Sequence, residues 1–143
     1  MYERILVPTD DATEMERVFE HAIEIARPHG ATVHVVSVVD ERAFLTLDDD
    51  LVDDVADQLR TQGETAVQVA ADRFKEADLE VETATLSGDP VDEIVRYANE
   101  TGVDLVVMGT RRSNDNQAML GSVSQPVTTR ANSPVLIVDI TSE

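Results

Sequence analysis

Cysteine and tryptophan are absent from this chain of 143 residues, and Lys75 is the one lysine among its bases. Without cysteine there is no disulfide, no thiolate zinc or iron–sulfur ligation and no cysteine nucleophile. Aromatic residues make up only 3% of the chain, so a core has to be built from Val, Ile, Leu and Ala. No apolar run approaches the roughly 18 residues of a membrane span, and no basic start followed by an apolar stretch marks a leader at the N-terminus. A soluble, cytoplasmic protein with no membrane contact is expected. Positive charge is scarce as well, with 11 Lys and Arg against 29 Asp and Glu, a net charge of −18. With no basic stripe to neutralise phosphates, direct binding to nucleic acid is not expected. Such a chain repels itself at low ionic strength, and salt must screen it before the compact state is favoured. The plain reading is a protein kept soluble by its charge. The sharper reading is adaptation to the salt-saturated cytoplasm of an extreme halophile, which fits acids spread along the whole chain and the near-absence of lysine.

What is present alternates short apolar runs with amphipathic stretches, the pattern of an α/β fold with a doubly wound parallel sheet and helices on both faces. Ile5-Leu6-Val7 reads as a short strand ended by Pro8. Thr13-x-x-Glu16 has the form of a capping box, and Met15, Val18, Phe19, Ala22, Ile23 and Ala26 follow at helical spacing up to Pro28 and Gly30. Val33 to Val39 is a second strand. A long acidic helix is expected from about Asp48 to Glu76, with Val52, Val55, Leu59, Val67, Ala70 and Phe74 facing the core and a break or kink expected at Gly63. Glu80 to Leu86 alternates half-polar, which suits an edge strand. Asp89 caps the next helix with Pro90 at its first position, and Gly102 ends it. Leu105 to Met108 is the most continuously apolar strand and is expected to be central, and Val135 to Val138 is the fifth. No linker, repeat or low-complexity tract divides residues 1–143, so one domain is expected.

In such sheets ligands bind beyond the carboxyl ends of the strands, where strand order reverses. Pro8-Thr9-Asp10, Val38-Val39-Asp40, Ser87-Gly88-Asp89 and the loop that begins Met108-Gly109 stand at those ends. Glycine at Gly109 and Gly121 lets backbone approach a ligand or take a positive φ. Ser122-x-x-Gln125 has capping-box form, which puts Ser122 at a helix N-terminus, where free N–H groups and the helix dipole favour an anion such as phosphate. Pro126 in the first turn constrains Gln125 and could shift that start by a residue or two. The plainer alternative is that both glycines only let the chain turn and Ser122 only caps. No P-loop and no Gly-x-Gly-x-x-Gly fingerprint occurs.

Taken together, "ILVPTD" at Ile5 to Asp10, "VVSVVDE" at Val35 to Glu41, "SGDPVDEIVRYANETGVDLVVMGT" at Ser87 to Thr110, "LGSVSQPV" and "NSPVLIV" resemble the universal stress proteins over nearly the whole length. The resemblance implies an adenine nucleotide alpha-hydrolase-like fold, with a five-stranded parallel sheet of order 3-2-1-4-5. It also implies a homodimer joined through the last strand, at Val135, Leu136, Ile137 and Val138. ATP-binding members carry a Gly-x-x-Gly-x9-Gly-Ser or Gly-Thr pattern. Gly109 matches its first glycine and Gly121-Ser122 its final pair, but Arg112 stands where the second glycine belongs and the segment is one residue short. By position Asp10 resembles the residue that meets ribose or adenine, and Val38 the one whose backbone reads the adenine edge. Gly109, Gly121, Ser122, Val123 and Ser124 resemble the phosphate and ribose contacts. The implied ligand is ATP or AMP, with Mg2+ accompanying ATP. Arg111 and Arg112, the only adjacent bases, stand in the altered loop. They either grip phosphate oxygens or pair with nearby carboxylates.

Other chemistries find little support. Asp48-Asp49-Asp50 and Asp53-Asp54 lack calcium-loop spacing and read as a solvated helix start. His21, His29 and His34 form no sequence-local pair for zinc, and no Gly-x-Ser-x-Gly elbow exists. A phosphate-accepting receiver needs an Asp after the third strand and a Lys after the fifth, and neither is present. Any nucleotide hydrolysis would rest on Asp10 or a metal-bound water and be slow. Two functions stay open: a nucleotide-binding stress-response module, or a dimeric stress-response interaction protein that keeps the fold without the ligand.

Overall fold

The computed structural model describes residues 1–111 and 122–141. Five strands, β1 (Arg4–Pro8), β2 (Thr32–Asp40), β3 (Glu80–Gly88), β4 (Leu105–Thr110) and β5 (Val135–Asp139), alternate with α1 (Glu16–His29), α2 (Asp49–Glu76), α3 (Pro90–Thr101) and α4 (Ser124–Arg130). All four pairings are parallel and the order is β3-β2-β1-β4-β5. The half-polar strand is at an edge, as its alternation predicts. β4 is interior, between β1 and β5, as the expected order 3-2-1-4-5 has it.

Successive side chains leave a strand on opposite faces, so apolar runs such as Ile5-Leu6-Val7 feed two cores at once. Ile5, Val7, Val33 and Val35 face α1 and α2, where Phe19 meets Phe74 edge-on with ring centres 5.4 Å apart. Leu6, Val36 and Val106 face the other way, against Ile94 and Val95 of α3 and Val127 of α4.

The helix ends show which local signals prevail. Asp89 Oδ1 accepts the Asp92 N–H at 3.1 Å with Pro90 in the first turn of α3, and Gly102 ends that helix at φ 72°. Gly30 ends α1 at φ 61°, with the N–H groups of Gly30 and Ala31 closing back on Arg27 and Ala26. Pro28 does not stop α1 but lies inside its last turn. The capping box expected at Thr13 does not form. A 3-10 turn at Thr13–Met15 comes first, α1 starts at Glu16 without a side-chain cap, and Asp10 Oδ1 instead accepts the Ala12 N–H at 2.9 Å.

α2 runs unbroken for 28 residues through Gly63. A Cβ there would lie 3.1 Å from Ser37 Oγ and 3.4 Å from Thr85 Cγ2. The glycine therefore lets the helix come close to β2 and β3, offsetting a helix-propensity cost of about 1 kcal/mol. Val67, Ala70 and Phe74 are buried as expected, whereas Val52, Val55 and Leu59 are only half-buried.

Ser122 is not the cap of α4. The helix starts at Ser124 with Val123 before it, and Ser122 is exposed. Proline gives the reason. Had Ser122 been the cap, Pro126 would fall at the fourth helical position, the first whose N–H donates within a helix. Starting at Ser124 puts Pro126 third, where no donor is needed.

Candidate functional site

The carboxyl ends of β1, β2 and β4 open into one cleft of about 330 Å³, at the switch point beside β1 where the strand order reverses between β2 and β4. Pro8, Thr9 and Asp10 line it from the end of β1, and Val38 from β2. Met108, Gly109 and Arg111 enter from β4, and Ser122, Val123 and Ser124 from the start of α4. Arg112 and Gly121 lie outside the described residues.

Thr9 stays tied to the sheet by its N–H, which donates to the Val36 carbonyl at 2.8 Å, so the turn carrying Asp10 starts from a fixed point. Asp10 holds the following turn with one carboxylate oxygen and meets Arg111 Nη1 at 3.4 Å with the other. This ion pair crosses the cleft mouth from β1 to β4. Both side chains are about half exposed, at 53% and 48%, so the pair contributes at most about 1 kcal/mol. Opposite, the buried Ser124 hydroxyl bonds the buried Thr110 hydroxyl at 3.0 Å and fixes the start of α4 against the end of β4.

Gly109 serves packing rather than ligand approach. Its φ is not positive, and a Cβ would lie 2.9 Å from Ile140 Cδ1 and 3.2 Å from Val18 Cγ2. The missing side chain makes room for the core, while the backbone of Gly109 still edges the cleft. Sequence reasoning missed Met15, Val36, Pro90, Ile94, Thr110 and Ile140, which complete the lining. Val36 and Thr110 could have been found, as the residue two before Val38 on the same face and the one following Gly109. The others reach the cleft only through tertiary packing.

At the far end of the sheet, β5 pairs among the described residues with β4 alone, with Val138 buried and Val135, Leu136 and Ile137 half-buried.

The model of the universal stress protein family matches residues 1–139. The chain belongs to that family. Universal stress protein MJ0531 of Methanocaldococcus jannaschii is 32% identical over 140 residues, covering 96% of this chain and 82% of the relative. The solved structure of MJ0577, a universal stress protein of the same organism, superposes with a TM-score of 0.84 at 26% identity, covering 97% of this chain and 96% of the other. The universal stress protein of Archaeoglobus fulgidus, solved in complex with dAMP, has a TM-score of 0.70 at 27% identity, with 95% and 97% covered. The family fold agrees with the sheet order seen here.

Proposed function

We propose that this protein is an adenine-nucleotide-binding stress-response module whose ligand, AMP or ATP, occupies the cleft at the ends of β1, β2 and β4. The observation that carries this reading is the convergence of Asp10, Val38, Gly109 and Ser122 to Ser124, distant in sequence, on that cleft. The dAMP complex of the Archaeoglobus relative supports the same ligand class. In this reading the Val38 backbone meets the adenine edge, with Pro8 and Met108 as apolar walls. Asp10 takes a ribose hydroxyl, and the residues from Gly109 to Arg112 and from Gly121 to Ser124 meet the phosphates. Arg111 then exchanges Asp10 for a phosphate oxygen. Among the described residues no three acidic or histidine side chains group as a metal site, so Mg2+ would enter with ATP, on its phosphates. The reading includes a homodimer through β5, supported by an edge strand whose Val135, Leu136 and Ile137 are incompletely covered. It includes a high-salt cytoplasm too, supported by 29 acids against 11 bases.

A second reading, an interaction protein without ligand, is favoured by the Asp10–Arg111 pair across the cleft mouth. Calorimetry in roughly molar KCl, where close contacts persist but long-range attraction is screened, separates the two. Binding of AMP or ATP is expected, weakened about 10- to 100-fold in Asp10→Ala through loss of a charge-assisted hydrogen bond. Absence of heat for ATP, ADP and AMP in folded protein leaves the second reading. Light scattering should give the mass of two chains, falling to one in Ile137→Asp.

A further inference from the structure

A second cleft, of about 230 Å³, opens on the other face of the sheet, beneath α2. Among the described residues it shares only Asp10 and Val38 with the first. Val33 and Val35 face α1 and α2, so Ser37, two residues further along β2, faces α2 as well. Ser37 is 7% exposed and lines this cleft. Among the described residues nothing hydrogen-bonds its hydroxyl, which opens on the cleft beside Gly63 although the residue as a whole is buried. A Cβ on Gly63 would stand 3.1 Å from that hydroxyl, so the glycine keeps its approach open. Leu59 and Ala66 of α2 form an apolar wall.

The rim has one sign of charge. Asp10, Asp11 and Asp40 line it, and among the described residues no lysine or arginine does. Arg42 holds both oxygens of Asp40, at 2.9 and 2.7 Å. Arg111 reaches one oxygen of Asp10 from the first cleft, and Asp11 makes no ion pair among the described residues. The volume lies below the roughly 300–1,000 Å³ of sites for drug-sized ligands, which points to a molecule smaller than a nucleotide.

We propose that this cleft binds a small aliphatic amine carrying a second, uncharged polar group. The ammonium sits between Asp10 and Asp11 at the rim, where carboxylates accept its N–H groups. Its methylenes run along Leu59 and Ala66, and the polar end bonds the Ser37 hydroxyl.

The test is a titration of the full chain with 4-aminobutan-1-ol, followed by amide NMR shifts in about 0.5 M KCl, which screens diffuse attraction to the acidic surface. Saturable shifts confined to the neighbourhood of Ser37, Gly63 and Ala66 are expected, whether or not the protein binds nucleotide. Asp11→Asn should weaken binding severalfold. Gly63→Ala, whose added methyl fills the space before Ser37, should weaken it at least about tenfold. Ser37→Ala leaves the fold's apolar contacts in place and should reduce affinity for the amino alcohol to that of butylamine, with butylamine binding itself unchanged. Shifts spread over the acidic surface without saturation overturn the proposal. So does binding that is equal in wild type, Gly63→Ala and Ser37→Ala.

Discussion

The two halves of α2 have the same helical backbone and opposite circumstances. From Gly63 onward the helix buries six residues, among them Ala66, Ala70 and Phe74, against β2 and β3. Before Gly63 it buries none, and Leu51 is 49% exposed. The charges differ too. Residues 48–62 carry six aspartates and one arginine, whereas residues 63–76 mix three acids with Arg73 and Lys75. Asp49 and Asp53, Asp50 and Asp54, and Asp53 and Asp57 stand one turn apart, an unfavourable spacing for like charges. The packed half is held by tertiary burial. The free half depends on propensity and on salt to screen its own repulsion.

Several changes would break or sharpen that contrast. Phe74→Ala removes a fully buried ring from the packed half and should cost about 3–5 kcal/mol in denaturant unfolding. Acidification should act next, from the sheet face opposite α2, and so weaken the packed structure without touching the free half directly. Burial of His34 under α3 holds its pKa below the usual histidine value, more strongly than Glu82 raises it. Its Nδ1 meets the Tyr97 hydroxyl at 2.9 Å, while its Nε2 has no hydrogen-bond partner among the described residues and faces Glu82 Oε2 at 3.6 Å. The unfolded chain then binds a proton that the folded chain resists, so His34 contributes its full stability above about pH 6.5. That contribution is lost as pH falls from there toward the lowered folded value. His34→Asn should flatten this slope in pH-dependent unfolding.

Leu59→Ala, in the free half, should cost no more than about 1 kcal/mol, because the side chain is only half-buried. The smallest effect is expected from Asp53→Asn, a gain of a few tenths of a kcal/mol that vanishes in high salt. Hydrogen exchange gives the same contrast without mutation. Raising KCl from roughly 0.1 to 1 M should slow exchange at residues 52–62 and leave residues 66–74 unchanged.

Much of the fold was legible because its signals are local. Ile5-Leu6-Val7 could only be a strand buried on both faces, and the Asp89-Pro90 start and the Gly30 and Gly102 stops are backbone requirements written in single residues. The candidate cleft was partly legible for the same reason: strand ends are visible, and ligand clefts lie beyond them. Where two local signals competed, the reading slipped. Ser122 had the form of a cap, yet Pro126 decided where α4 begins. Thr13 had the form of another, yet the Asp10 turn placed a 3-10 segment there.

The sequence by itself determined which segments are strands and helices, the acidic character and the strand ends at which a ligand site belongs, because each follows from neighbours along the chain. Only the tertiary structure decided what the glycines are for and which half of α2 is anchored. Gly63 and Gly109 read as a helix break or kink and a ligand approach, but each makes room for atoms far away in sequence, Ser37 and Thr85 in one case and Ile140 and Val18 in the other. Close packing is a property of surfaces brought together, and no periodicity along the chain records how near they come.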